Sequence, residues 1–151
     1  MILQPGSAAP DFALPNQFGQ TVSLGDFRGA SPVTLVFFPL AFSRTCQGEL
    51  CELRDHLDVF AGAGSQLVAI SVDSKHSLRA WGEEQGYDFP LLADFWPHGA
   101  VARAYGAFLD ERGYANRATF VIDAGGTIRA SFATAPGEAR TLEQYRAALA
   151  N

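Results

Sequence analysis

Two unbroken apolar runs constrain this chain more than any other feature. Residues 33–38 are Val33-Thr34-Leu35-Val36-Phe37-Phe38, and residues 67–72 are Leu67-Val68-Ala69-Ile70-Ser71-Val72. Both are short, rich in β-branched or aromatic side chains, and free of apolar–polar alternation. A strand with one wet face alternates, so these two must be buried on both faces. Strands of that kind sit in the middle of a sheet with helices packed on either side. The chain of 151 residues, 48% hydrophobic and 18% charged, suffices for one domain with its own core, spanning 1–151.

The segments between the runs complete the pattern. Residues 13–23 predict a small hairpin around a Gly-containing turn. Leu50, Leu53, Leu57 and Phe60 recur at helical spacing, with Gly62 and Gly64 as the stop. A helix is expected over 78–85, closed by Gly86, then a short edge strand at 90–92 and a short helix over 98–105, ended by Gly106. Residues 119–122 and 127–132 flank Asp123-Ala124-Gly125-Gly126, a hairpin signal and not a phosphate loop, since no helix follows it. Thr141 is placed to cap a last helix over 141–150. This α/β order, hairpin, strand, helix, strand, two helices, hairpin, helix, resembles a thioredoxin-like fold with an N-terminal β-hairpin and an inserted helix.

Composition removes several classes. A net charge of −5, with no basic run interleaved with aromatics, argues against nucleic acid as a partner. The longest apolar stretch, near 33–42, is too short and interrupted to span a bilayer. The start at Met1 shows no basic and apolar leader, so a cytoplasmic location is expected. Two cysteines, Cys46 and Cys51, make neither a disulfide framework nor a four-ligand zinc site. His56, His76 and His98 are scattered and read as surface or packing residues. Neither a metal nor a bound cofactor is expected.

Reactive thiol chemistry remains. Cys46 follows the first apolar run by a few residues and opens a helix. Its sulfur then lies at the C-terminal edge of a parallel sheet, where open α/β folds hold their sites. It also lies among unpaired N–H groups at the positive end of a helix dipole. Both favour the thiolate, which attacks a peroxide and leaves as sulfenate. On position alone, a small buried hydrophobe explains Cys46 as well. Ser43 offers a hydroxyl to orient a peroxide or the thiolate, or simply an N-cap. Pro39 lacks an N–H and shields the sulfur, or simply ends the strand.

Taken together, Pro39, Ser43 and Cys46 form Pro-x-x-x-Ser-x-x-Cys, which resembles the peroxiredoxin signature Pro-x-x-x-Thr/Ser-x-x-Cys. Glu49 also matches that family. Ala9-Pro10-Asp11-Phe12 resembles its N-terminal segment, and Arg117-Ala118-Thr119-Phe120-Val121-Ile122-Asp123 resembles the strand bearing its active-site arginine. The stretch Pro39-Leu40-Ala41-Phe42-Ser43, with Asp94-Phe95-Trp96-Pro97-His98-Gly99, is similar to the AhpE-type, one-cysteine alkyl hydroperoxide reductases.

The resemblance implies a thiol-dependent peroxidase that reduces hydrogen peroxide, alkyl hydroperoxides or peroxynitrite through a Cys46 sulfenic acid. Arg117 would stabilise the thiolate and the leaving oxygen, where its competing reading is an exposed arginine ahead of a strand. Glu49 would orient an arginine such as Arg117, where its competing reading is a solvated glutamate near a helix start. Cys51 departs from the AhpE pattern and is similar to the resolving cysteine of PrxQ-type members. Five residues along a helix is about 7.5 Å of rise, beyond the roughly 7 Å that a disulfide bridges, so a Cys46–Cys51 bond requires the first helical turn to unwind. Without it, an outside thiol must regenerate Cys46: mycothiol, or a mycoredoxin or glutaredoxin-like partner. With it, thioredoxin is the expected reductant. A homodimer or higher homo-oligomer is also implied.

Two readings remain beside this one. A thioredoxin-type disulfide reductase lacks support because Cys-x-x-Cys is absent. A peroxide sensor or redox relay using Cys46 stoichiometrically shares every motif. Phe42, Phe95, Trp96 and Phe108 form either an aromatic collar over a substrate entrance or ordinary core, with core favoured for at least two of them. His98, beside Trp96 and Pro97, is placed to line an interface or a pocket rim.

Overall fold

The computed structural model describes residues 1–150. Its centre is a sheet of five strands: β3 (Val33–Phe37), β4 (Gln66–Ser71), β5 (Leu91–Ala93), β8 (Arg117–Ile122) and β9 (Ile128–Thr134), in the order β5-β4-β3-β8-β9. β4 runs parallel to both β3 and β5, while β8 is antiparallel to β3 and to β9. The two apolar runs are thus neighbouring inner strands. Alternate residues serve opposite faces, which is the period of a pleated strand. Leu35, Phe37, Val68 and Ile70 join one core with Phe120 and Ile122. Val36, Phe38, Leu67 and Ala69 join the other with Leu50, Leu53 and Trp81.

The hairpin β1 (Ala13–Pro15) and β2 (Thr21–Ser23) and helix α4 (Ala100–Ala104) cover the first face. Helices α1 (Arg44–Asp55), α3 (Lys75–Gln85) and α5 (Leu142–Leu149) cover the second. The outer edge of β5 is closed by one buried side chain. Gln17 donates through Nε2 to the Phe89 carbonyl at 3.1 Å and accepts the Leu91 N–H at 2.9 Å, imitating a further strand.

The elements differ from the sequence expectation in four places, each with a local cause. The single helix expected through Phe60 breaks into α1 and a short α2 (Asp58–Ala61). At the break, His56 Nδ1 sits 2.9 Å from the Glu52 carbonyl, the acceptor its own backbone N–H would need to continue the helix. That N–H turns instead to the Leu53 carbonyl at 3.1 Å. The helix expected over 98–105 is only α4, because Gly99 takes φ 73° and the Asp94 carboxylate accepts the N–H groups of Val101 and Ala102. α3 starts earlier than expected, at a Ser74 cap whose hydroxyl accepts the Ser77 N–H. A two-stranded pair, β6 (Phe108–Leu109) with β7 (Tyr114–Ala115), was not expected at all. Thr141 does cap α5, accepting the Gln144 N–H.

Candidate active site

α1 starts seven residues after β3 ends, so its first turn stands over the C-terminal edge of the sheet. Its buried face is Cys46, Glu49, Leu50 and Leu53, a helical stripe. Leu50 and Leu53 anchor the helix against the sheet, and the same stripe carries Cys46 and Glu49 inward. Because β8 is antiparallel to β3, its first residue lies beside the last residues of β3. The final paired couple is Val36 with Thr119, so Arg117 projects past it toward the Pro39–Cys46 segment. The topology thus joins two residues 71 apart in sequence: Arg117 Nη2 donates to Cys46 Sγ at 3.2 Å.

Arg117 is held on three sides. Its Nη1 donates to Glu49 Oε1 at 2.9 Å, and its Nε donates to the Pro136 carbonyl at 2.7 Å. It is 2% exposed, which removes the exposed-arginine reading. Glu49 is also buried, which removes the solvated-glutamate reading.

A second guanidinium completes the cluster. Arg140, in the loop between β9 and α5, donates to Glu49 Oε2 through Nε at 2.8 Å and through its backbone N–H at 2.7 Å. Its Nη2 donates to Glu49 Oε1 at 2.7 Å, and its Nη1 reaches the Ala118 carbonyl and Thr119 Oγ1, each at 3.0 Å. Sequence reasoning missed this residue, and no local motif around Arg140 announces it. Burial by itself would raise the Glu49 carboxyl, but the hydrogen bonds and charge of Arg140, with the charge of Arg117, hold it below its ordinary value.

Pro39, Leu40, Ser43, Tyr114, Pro136 and Arg117 line a cleft of about 210 Å³, together with Arg44 and Thr45. Cys46 is fully buried and lies one hydrogen bond behind Arg117. Ser43 occupies the N-cap of α1, yet its hydroxyl makes no cap bond and donates to the Leu40 carbonyl at 2.8 Å. Pro39 is buried at the end of the β3 segment.

Cys51 stands apart from this cluster. It lies further along the intact α1, half-buried, with Sγ 3.4 Å from Gln85 Oε1 and 3.4 Å from the Tyr87 hydroxyl. The structure therefore brings Cys46, Ser43, Pro39, Arg117 and Glu49 together and leaves Cys51 outside. Core packing, favoured for at least two of the four aromatic residues, holds only at Phe108, which is half-buried against the first core, on His98 and beneath Arg103; Phe42, Phe95 and Trp96 are exposed. Phe42 leans on Trp81 at the rim of α1, with φ 66°. His98 Nε2 meets the Gly113 carbonyl at 2.6 Å. Among the described residues no cluster of His, Cys, Asp and Glu could hold a metal ion, and no helix is long and apolar enough to cross a membrane.

A five-stranded sheet with helices on both sides, carrying a buried cysteine at a helix start against a buried arginine, defines the thiol peroxidase class of thioredoxin-like folds. Comparison with known proteins agrees. Residues 5–131 match the AhpC/TSA family, to which the chain belongs. It is 50% identical to alkyl hydroperoxide reductase E of Mycobacterium tuberculosis over 149 residues, covering 99% of this chain and 97% of that protein. Among solved structures, peroxidoxin BcpB of M. tuberculosis superposes with a TM-score of 0.84 at 29% identity, covering 98% of this chain and 95% of the other. Enterococcus faecalis AhpC superposes with a TM-score of 0.88 at 27% identity, covering 99% and 92%. The chain is a peroxiredoxin, an oxidoreductase that reduces peroxides at the expense of thiols.

Proposed function

We propose that Cys46 is the attacking thiolate, with Arg117 and Ser43 as its substrate-binding partners. The observation that supports this most is the buried charge cluster. Glu49 carries one negative charge against the positive charges of Arg117 and Arg140. Buried charge is costly unless paired, and a Cys46 thiolate at 3.2 Å from Arg117 brings the sum to zero.

A hydroperoxide entering the cleft meets two prepared groups. Arg117 has five N–H donors, three of them committed to Pro136, Glu49 and Cys46, which leaves two for the peroxide oxygens. Ser43 spends its own hydrogen on Leu40, so its lone pairs accept the O–H of the peroxide. The thiolate then attacks the terminal oxygen. An S–O bond forms, the O–O bond breaks, and the sulfur loses two electrons. The leaving oxygen departs as alkoxide or hydroxide, stabilised by Arg117 until it takes a proton. Peroxynitrite gives nitrite by the same displacement. Pro39, buried in the cleft wall, offers no N–H to compete for the peroxide or the sulfur.

We propose that an external thiol closes the cycle. It attacks the sulfenic sulfur and releases water, and a second thiol frees Cys46 from the mixed disulfide. The reductant we propose is a low-molecular-weight thiol such as mycothiol, or a mycoredoxin or glutaredoxin-like protein, that approaches Cys46 from the cleft lined by Pro39, Ser43 and Arg117. Reduction by thioredoxin would suit an internal disulfide, but Cys51 points to Gln85 and Tyr87 and shares an intact helix with Cys46. Turnover separates enzyme from relay. With excess peroxide and a monothiol, the reduced protein should consume many equivalents per chain, and Cys51→Ser should keep at least about half that rate. Consumption that stops at one equivalent would make it a stoichiometric relay, and collapse of the Cys51→Ser variant would make Cys51 the resolving residue.

The two unpaired cysteines suit a reducing, cytoplasmic setting. Exposed Phe95 and Trp96 on one turn support a homodimer, because a monomer seldom leaves such side chains in water. Sedimentation velocity should give a dimer, weakened in Trp96→Glu. A monomer at all concentrations would refute that part.

A further inference from the structure

We infer that Arg44 makes this enzyme selective for organic hydroperoxides that carry a carboxylate. The inference rests on the reading of Cys46 given above. Arg44 lines the cleft beside Ser43 and Arg117, and it also borders a second, shallower cleft with Phe42, Gln47 and Cys51. Neither cleft has an acidic residue in its lining. Arg117 is tied to Glu49, Pro136 and Cys46, and its two remaining donors serve the peroxide oxygens, so none is left for a distant part of a substrate. Arg44 forms no ion pair among the described residues and is exposed.

Its position makes the charge harder to explain structurally. Arg44 is the first residue of α1, whose first turn holds no acidic residue. A cation there opposes the helix dipole, so it costs stability and gains no partner in return. Local rules broken without a compensating contact concentrate at functional positions. The planar guanidinium fork matches a carboxylate. Leu40, Tyr114 and Pro136 offer the apolar wall that an alkyl body would need between its peroxide end and its charged end. The chain as a whole is negative, at −5, and would otherwise repel such a substrate.

The test compares two tertiary hydroperoxides, tert-butyl hydroperoxide and 4-hydroperoxy-4-methylpentanoate, by stopped-flow oxidation of the reduced protein at low ionic strength. The readout is the ratio of the two rate constants, anionic over neutral. In Arg44→Gln this ratio should fall about three- to five-fold, the range open to an exposed charge pair. Arg44→Lys should restore most of it, and roughly 0.5 M salt should remove the difference between wild type and variant. An unchanged ratio would overturn the inference. So would a charge effect seen only when anionic and neutral thiols, N-acetylcysteine and its amide, reduce the oxidised protein, because Arg44 would then read the reductant. If neither hydroperoxide oxidises Cys46, the reading of Cys46 fails, and this inference with it.

Discussion

Cys46→Ser should give a folded protein that no longer consumes peroxide, its turnover reduced by more than about a thousandfold. The expectation follows from chemistry and packing together. A serine hydroxyl nearly matches the thiol in size, so the fully buried position stays filled and Arg117 Nη2 keeps an oxygen to donate to. A neutral hydroxyl is a far weaker nucleophile toward an O–O bond than a thiolate and has no accessible two-electron oxidation. Peroxide clearance in a ferrous-oxidation assay should drop to the background rate, while circular dichroism stays unchanged. Residual clearance above a few per cent would move the reaction to Cys51, the other thiol of the chain.

The second large effect is on stability. Glu49 accepts four hydrogen bonds from two buried guanidinium groups and one backbone amide, counting one from Arg117 and three from Arg140. Glu49→Ala leaves two buried cations with only the Cys46 thiolate against them, at a cost of about 3–5 kcal/mol. It also frees Arg117 to drift from Cys46, so the rate of peroxide reduction should fall with stability. The acid limb tells the charge apart from the packing. The folded-state carboxyl titrates below its ordinary value near 4.5, so its stabilisation is complete above that pH and is lost as pH falls through the lowered value. Urea unfolding of wild type and Glu49→Gln should therefore differ most above pH 4.5 and converge in stronger acid. A gap that does not change with pH would make the Glu49 effect one of shape alone.

The fold was legible because its inner strands advertise themselves. Residues 33–38 and 67–72 lack alternation only because both faces of the sheet are covered, and that fact carries the α/β architecture with it. Helix ends were less legible. Nothing in a periodicity shows that the His56 ring takes the Glu52 carbonyl, or that the Asp94 side chain decides where α4 begins. The β6–β7 pair is too short for any pattern to reveal.

The site divides the same way. Pro39, Ser43 and Cys46 lie close in sequence, but Arg117 joins them only through the resemblance of its strand to the peroxiredoxin family, since on the residues alone an exposed arginine explained it better. Arg140 escapes that grouping. It stands alone in a loop after Gly137, and its meeting with Glu49, 91 positions earlier, depends on how that loop crosses the end of β8. The aromatic residues misled for a related reason. Phe42, Phe95 and Trp96 are hydrophobic, but each sits on a turn that faces outward, and composition is blind to facing.

The most direct test of the central claim is the intact mass of the reduced protein after one equivalent of peroxide, with and without a sulfenic-acid trap. The account predicts one added oxygen, or one trap adduct, located at Cys46 by peptide mapping. Loss of two hydrogens with little trapping would keep Cys46 as the attacking residue but assign recycling to Cys51. A protein in which Cys46 stays reduced while peroxide persists would contradict the account.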